Sequence, residues 1–166
     1  LLVRDPARTG GAKGRMNMHD NTKAESSPAR ILVVDDEVYI LQVVALKLRN
    51  AGLEVECAGD GDEAFTLLKG KSFDLVVTDL QMPVMTGIEL ARMMAKEPAL
   101  ANIPVLMLTA RGHMLRDGEA DSVNIARVMQ KPFSPRALLV EVLELLNPSQ
   151  IQSASPAASQ SANQAA

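Results

Sequence analysis

The sequence predicts an α/β fold, a doubly wound five-stranded parallel sheet with helices on both faces. Three observations carry this expectation. Short apolar runs of strand length alternate with segments of helical spacing in five successive units, the pattern of parallel strands joined by helical crossovers. The run Phe73-Asp74-Leu75-Val76-Val77-Thr78-Asp79 is short, mostly apolar and bounded by turn signals, as in a strand buried on both faces. Polar groups fall at the carboxyl ends of the strands, where open α/β sheets place their ligands.

Taken in order, Ile31-Leu32-Val33-Val34 forms the first strand. Val38 to Asn50 carries apolar residues at 40, 41, 44, 45 and 48, which is helical spacing, and Gly52 lies just past its end. Leu53 to Ala58 alternates Val55 and Cys57 with Glu54 and Glu56, so this strand is half exposed and belongs at an edge. Asp60 and Glu63 resemble a capping box opening a helix through Lys69, ended by Gly70. The strand ending at Asp79 follows. Thr86 and Glu89 form a second capping pair and open a helix to about Lys96. Ile103 to Leu108 is the fourth strand, with Pro104 confined to its start. Arg111 to Val123 reads as a short helix closed by Asn124. Ile125 to Gln130 is the fifth strand. Ser134 caps the last helix, with Pro135 at its first position, and that helix runs to about Leu146.

Composition bounds the rest. With three Phe, one Tyr and no Trp, the core must be aliphatic, and Cys57 is expected as a small buried hydrophobe. Residues 1–28 and 148–166 are polar and aperiodic and are expected to be disordered arms around one unit spanning 29–147. That unit holds 12 basic and 17 acidic residues, a net charge of −5, so a basic field for nucleic acid is not expected. A single cysteine forms no internal disulfide, and no apolar run is long enough to span a membrane; a cytoplasmic setting with no membrane partner is expected. The methionines Met82, Met85, Met93 and Met94 are expected to fill the core. His19 and His113 lack a metal-binding partner at useful spacing.

In the strand order 2-1-3-4-5 the first and third strands are neighbours, which brings Asp35, Asp36 and Asp79 together. Three carboxylates so close cannot all remain ionised without a cation. Mg²⁺ is the natural one, since it takes one or two carboxylates and keeps waters or phosphate oxygens. Lys131 supplies a point charge for a phosphate oxygen, and Thr109 a hydroxyl. A carboxylate nucleophile, a Mg²⁺ site, an ammonium and a hydroxyl are the parts needed to transfer a phosphoryl group onto an aspartate.

The segments Ile31-Leu32-Val33-Val34-Asp35-Asp36-Glu37, Asp74 to Gly87, Pro104-Val105-Leu106-Met107-Leu108-Thr109-Ala110 and Lys131-Pro132-Phe133 together resemble the receiver domain of two-component response regulators. The resemblance covers essentially all of 29–147. It implies a flavodoxin-like fold and phosphorylation of Asp79 by a sensor histidine kinase or phosphotransfer protein, with Mg²⁺ required. It implies that Asp36 and Asp79 bind the metal directly, that Asp35 does so mainly through water, and that the Gln81 backbone carbonyl is a further ligand. It implies that Lys131 and Thr109 contact the phosphoryl group. The chain is then a signalling phosphoacceptor, not an enzyme acting on an external substrate. The sequence departs from the family at Val128, where the family usually has Tyr or Phe.

With no helix-turn-helix pattern after residue 147, the expected output is contact with a downstream protein whose identity the sequence does not carry. Val128 motivates the alternative of a receiver-like interaction module acting without phosphorylation. An aspartyl-phosphate hydrolase would need a second acid two residues after the nucleophile, where Gln81 stands. Flavin binding would need a hydroxyl- and glycine-rich phosphate loop after the first strand, where Asp35-Asp36-Glu37 repels phosphate.

Overall fold

Five parallel strands run in the order β2-β1-β3-β4-β5, as expected from the alternation in the sequence. A computed structural model of the chain describes residues 27–110 and 123–147. The expectations for residues 1–26, the helix through 111–122 and the tail from 148 lie outside the described residues. The elements are β1 (Arg30–Val34), α1 (Val38–Arg49), β2 (Glu54–Ala58), α2 (Gly61–Gly70), β3 (Leu75–Asp79), α3 (Gly87–Lys96), β4 (Val105–Thr109), β5 (Ile125–Gln130) and α4 (Pro135–Leu146).

The continuous apolar runs have a simple cause. Alternate residues of each central strand face opposite layers, and both layers are covered. Ile31 and Val33 of β1 join Leu75, Val77, Leu106 and Leu108 under α1 and α4. Leu32 and Val34 join Val76 and Met107 under α2 and α3. Each such side chain contributes about 1.5–3 kcal/mol by leaving water. The edge strands differ. β2 alternates, with Val55 buried and Glu54 exposed, and β5 exposes Ala126, Val128 and Gln130. Arg127 of β5 ties that edge to α4 through Glu141 (2.6 Å) and Glu144 (3.0 Å).

Several boundaries move for local reasons. β3 starts at Leu75 rather than Phe73, because the Asp74 carboxylate accepts the Arg30 N–H at 2.7 Å while Phe73 turns into the α2/α3 core. β4 starts after Pro104, which has no N–H to donate; its carbonyl accepts Val76 N–H at 3.0 Å. The Asp60–Glu63 pair makes half of the expected box. Asp60 accepts Glu63 N–H, but the Glu63 carboxylate reaches Gly59 N–H, one residue earlier. The Thr86–Glu89 box is complete in both directions. Cys57 is half-buried rather than buried, because β2 lies at the sheet edge. Met82 and Met94 fill the α2/α3 core as expected.

Register sets the working edge. Val34 lies opposite Thr78, so the next residues, Asp35 and Asp79, emerge side by side from β1 and β3. Thr109 lies opposite Gln130, which brings Lys131 to the same edge.

Candidate functional site

Asp79 is the last residue of β3 and is 5% exposed; Asp35 follows β1 and is fully buried. Between them sits the Lys131 ammonium, 2.8 Å from Asp79 Oδ1 and 2.9 Å from Asp35 Oδ2. The cation that two converging carboxylates require is thus supplied first by the chain itself. The second oxygen of each carboxylate is also engaged. Glu37 N–H donates to Asp35 Oδ1 at 2.9 Å, and Gln81 N–H donates to Asp79 Oδ2 at 2.8 Å. The Lys131 backbone N–H donates to the Thr109 carbonyl at 2.7 Å, so the lysine is anchored to β4 before its side chain reaches across.

The electrostatics follow from burial and pairing. Burial pushes the Asp35 carboxyl above its ordinary value, and the bonds from Lys131 and the Glu37 amide only partly offset that. Burial alone would lower the Lys131 ammonium. Hydrogen bonds to Asp79 and Asp35, with their charges, outweigh burial and raise it. Two buried carboxyl groups thus share one ammonium, and Asp36 and Glu37 add exposed acids at the rim. Glu37 Oε1 stands 3.8 Å from the ammonium, a contact not legible in the sequence.

Of the six residues singled out by sequence, the structure brings four into one edge: Asp35, Asp79, Thr109 and Lys131. Thr109 is buried, at 2% exposure. Asp36 is exposed beside its buried neighbour Asp35, and Gln81 is exposed while its backbone N–H meets Asp79. No group of three or more acidic, histidine or cysteine residues among the described residues is arranged to hold a metal ion. Magnesium does not need such a group: one or two carboxylates with waters and phosphate oxygens suffice. The donors here are all oxygens, the class that a small hard dication takes.

Two supporting features were harder to read from sequence. Gly87 opens α3 against the end of β3, and its N–H donates to the Leu80 carbonyl at 3.1 Å. A methyl on Gly87 would overlap the Asp79 carbonyl oxygen. An apolar cleft of about 500 Å³ lies beside Lys131, lined by Tyr39, Ile40, Val43, Phe133 and Pro135. Tyr39 in its lining is 73% exposed.

The loop after Asp79 is strained. Val84 has φ 69°, and Met85 N–H donates to the Pro83 carbonyl at 2.8 Å, closing a three-residue γ-turn. A β-branched residue is strained at a positive φ, which glycine adopts without steric cost. Val84→Gly is therefore expected to raise stability by about 1 kcal/mol, read as a higher urea midpoint at unchanged slope; an unchanged or lower midpoint refutes it.

Comparison with known proteins agrees with this architecture. The sequence profile described as the response regulator receiver domain matches residues 31–143. The phosphate regulon transcriptional regulatory protein PhoB of Pseudomonas aeruginosa is 34% identical over 116 residues, covering 70% of this chain and 51% of that protein. The transcriptional regulatory protein ResD of Bacillus subtilis is 33% identical over 122 residues, covering 74% and 50%. The chain thus spans about half the length of the curated relatives it matches. Among solved structures, the chemotaxis response regulator CheY4 of Vibrio cholerae superposes with a TM-score of 0.67 at 36% identity, covering 71% of this chain and 98% of that one. The response regulator TrrA of Thermotoga maritima, in complex with Mg²⁺ and BeF, gives 0.63 at 31% identity, covering 70% and 98%. The sheet order, the acid pair bridged by a lysine from the end of β5 and the match across 31–143 converge on one conclusion: this chain belongs to the response regulator receiver domain family.

Proposed function

We propose that Asp79 accepts a phosphoryl group from a phosphohistidine of a partner kinase or phosphotransfer protein. The observation that carries this reading is the Lys131 ammonium held between the buried Asp35 and Asp79 at the edge of the sheet. A carboxylate oxygen of Asp79 forms the new P–O bond, the P–N bond to the donor imidazole breaks, and the imidazole leaves with the bonding pair and takes up a proton. Lys131 is placed to follow the transferred group, exchanging its bond to Asp79 for one to a phosphoryl oxygen. Thr109, at the end of β4, is the hydroxyl donor to another such oxygen.

In this reading Asp36, Asp79 and the Gln81 carbonyl hold Mg²⁺, with Asp35 acting mainly through water. The ion, when bound, offsets the charge of the acids and of the incoming phosphoryl oxygens. Output passes to a downstream protein.

Incubation with acetyl phosphate and Mg²⁺, followed by intact-mass measurement, is expected to add about 80 Da, the mass of one phosphoryl group. The gain is expected to vanish in Asp79→Ala and on chelation of the metal. No gain in the wild type, or an equal gain in Asp79→Ala, rejects the proposal.

The second reading, a receiver-like module acting without phosphorylation, rests on Val128, which is 40% exposed on β5 where a ring is usual. Equal affinity of the wild type and Asp79→Asn for the downstream partner under phosphorylating conditions would favour it.

A further inference from the structure

The loop from Gln81 to Thr86 links Asp79 to a second element of the fold. One end of this loop is bonded to the acceptor itself, through Gln81 N–H and Asp79 Oδ2 at 2.8 Å. The other end is fixed. Thr86 is locked in the capping box of α3, and Gly87 N–H is bonded to Leu80. Between them Val84 holds a left-handed φ of 69°, a conformation that persists only because its surroundings impose it.

The middle of the loop rests on α2. The Met85 side chain lies across Gly61, the first residue of that helix: a methyl there would stand 2.8 Å from Met85 Cβ, Cγ and Sδ alike. Gly61 is buried, while Asp62 and Glu63 after it are exposed. A shift at Gln81 cannot be absorbed at Thr86, so it must appear at Pro83–Met85. There it meets a close contact that passes it to the first turn of α2, since packed side chains with no spare volume transmit displacement.

We infer that the loop Gln81–Thr86 carries the state of Asp79 to the start of α2 through the seat of Met85 on Gly61. The acidic first turn of α2 then becomes a reporting surface separate from β5. This inference rests on the reading of Asp79 as the phosphoryl acceptor.

The test is amide NMR of the full chain with Mg²⁺ and beryllofluoride, with fluorine NMR recording uptake of the anion. In the wild type, amides of Gly61 to Ala64 are expected to shift together with those of Gln81 to Met85. In Met85→Ala the loop amides are expected to shift as before while those of Gly61 to Ala64 lose their response; Met85→Leu is expected to keep it. Gly61→Ala is expected to displace the loop amides without any anion, because the methyl and Met85 cannot both stay. Wild-type uptake of the anion with Gly61 to Ala64 unmoved overturns the coupling alone. So does a full α2 response in Met85→Ala, or an undisturbed loop in Gly61→Ala. Absence of any bound fluorine signal in the wild type overturns the underlying reading of Asp79 instead.

Discussion

Gly87→Ala is expected to destabilise the domain and to disable the acceptor, although it adds one methyl at a helix start where alanine is ordinarily favourable. The added carbon would overlap the Asp79 carbonyl oxygen and stand 2.9 Å from Met107 Sδ. Methionine sulfur can swing away, but the carbonyl belongs to β3 and is held in the sheet beside β4. Relief must therefore come from moving α3 or the end of β3, and either breaks the bond from Gly87 N–H to Leu80. Overpacking of this kind costs about 1–3 kcal/mol, and a backbone obstacle puts it at the upper end. Urea unfolding is expected to show a lower midpoint, and phosphorylation by acetyl phosphate is expected to fall even where the protein remains folded. A variant with wild-type midpoint and wild-type phosphorylation refutes the close approach.

Lys131→Met is expected to be as damaging for a different reason. Without the ammonium, Asp35, whose side chain is 1% exposed, faces Asp79 with no cation between them. Removing one partner of a buried pair costs about 3–5 kcal/mol. Measured at neutral pH with the metal chelated, the loss is expected to be large. It is expected to shrink on acidification and to shrink again in Lys131→Met/Asp35→Asn, where both charges are gone. A double variant no more stable than the single one would show that the charge pair is not the cause.

The pH dependence has a definite sign. The folded state raises the Asp35 carboxyl above its ordinary 3.8, so it favours the protonated form there. Its contribution is therefore best below that value and declines as pH rises toward the folded one. The folded state also raises the Lys131 ammonium above 10.5. That stabilisation is complete below the ordinary value and is lost as pH climbs through the raised one. An alkaline loss of stability beginning near 10.5 is expected in the wild type and is expected to be absent in Lys131→Met.

Much of the molecule was legible in the sequence, because its signals are local. The buried strands announce themselves as unbroken apolar runs, since both faces of the sheet are covered. The Thr86–Glu89 box and the Ser134-Pro135 start name their helices through bonds made within three residues. The convergence of Asp35, Asp79, Thr109 and Lys131 follows from parallel strands ending on a common edge, once the strand order is known.

What the tertiary structure alone decided lies in orientation and close approach. Asp35 and Asp36 are neighbours of the same type, yet one is buried against Lys131 and the other is exposed, because the chain bends at Asp36 while Glu37 N–H turns back to Asp35 Oδ1. Lys131, expected to meet a phosphate oxygen, bridges the two acids that β1 and β3 bring together. Gly87, Val84 and Met85 look unremarkable in the chain. Their importance comes from the carbonyl, the turn and the helix start pressed against them, and those neighbours exist only after folding. The sequence by itself determined the sheet and which residues end its strands, through periodicity and spacing. Which oxygen meets which donor, and what moves with it, was left to packing, because those distances depend on elements far apart in the chain.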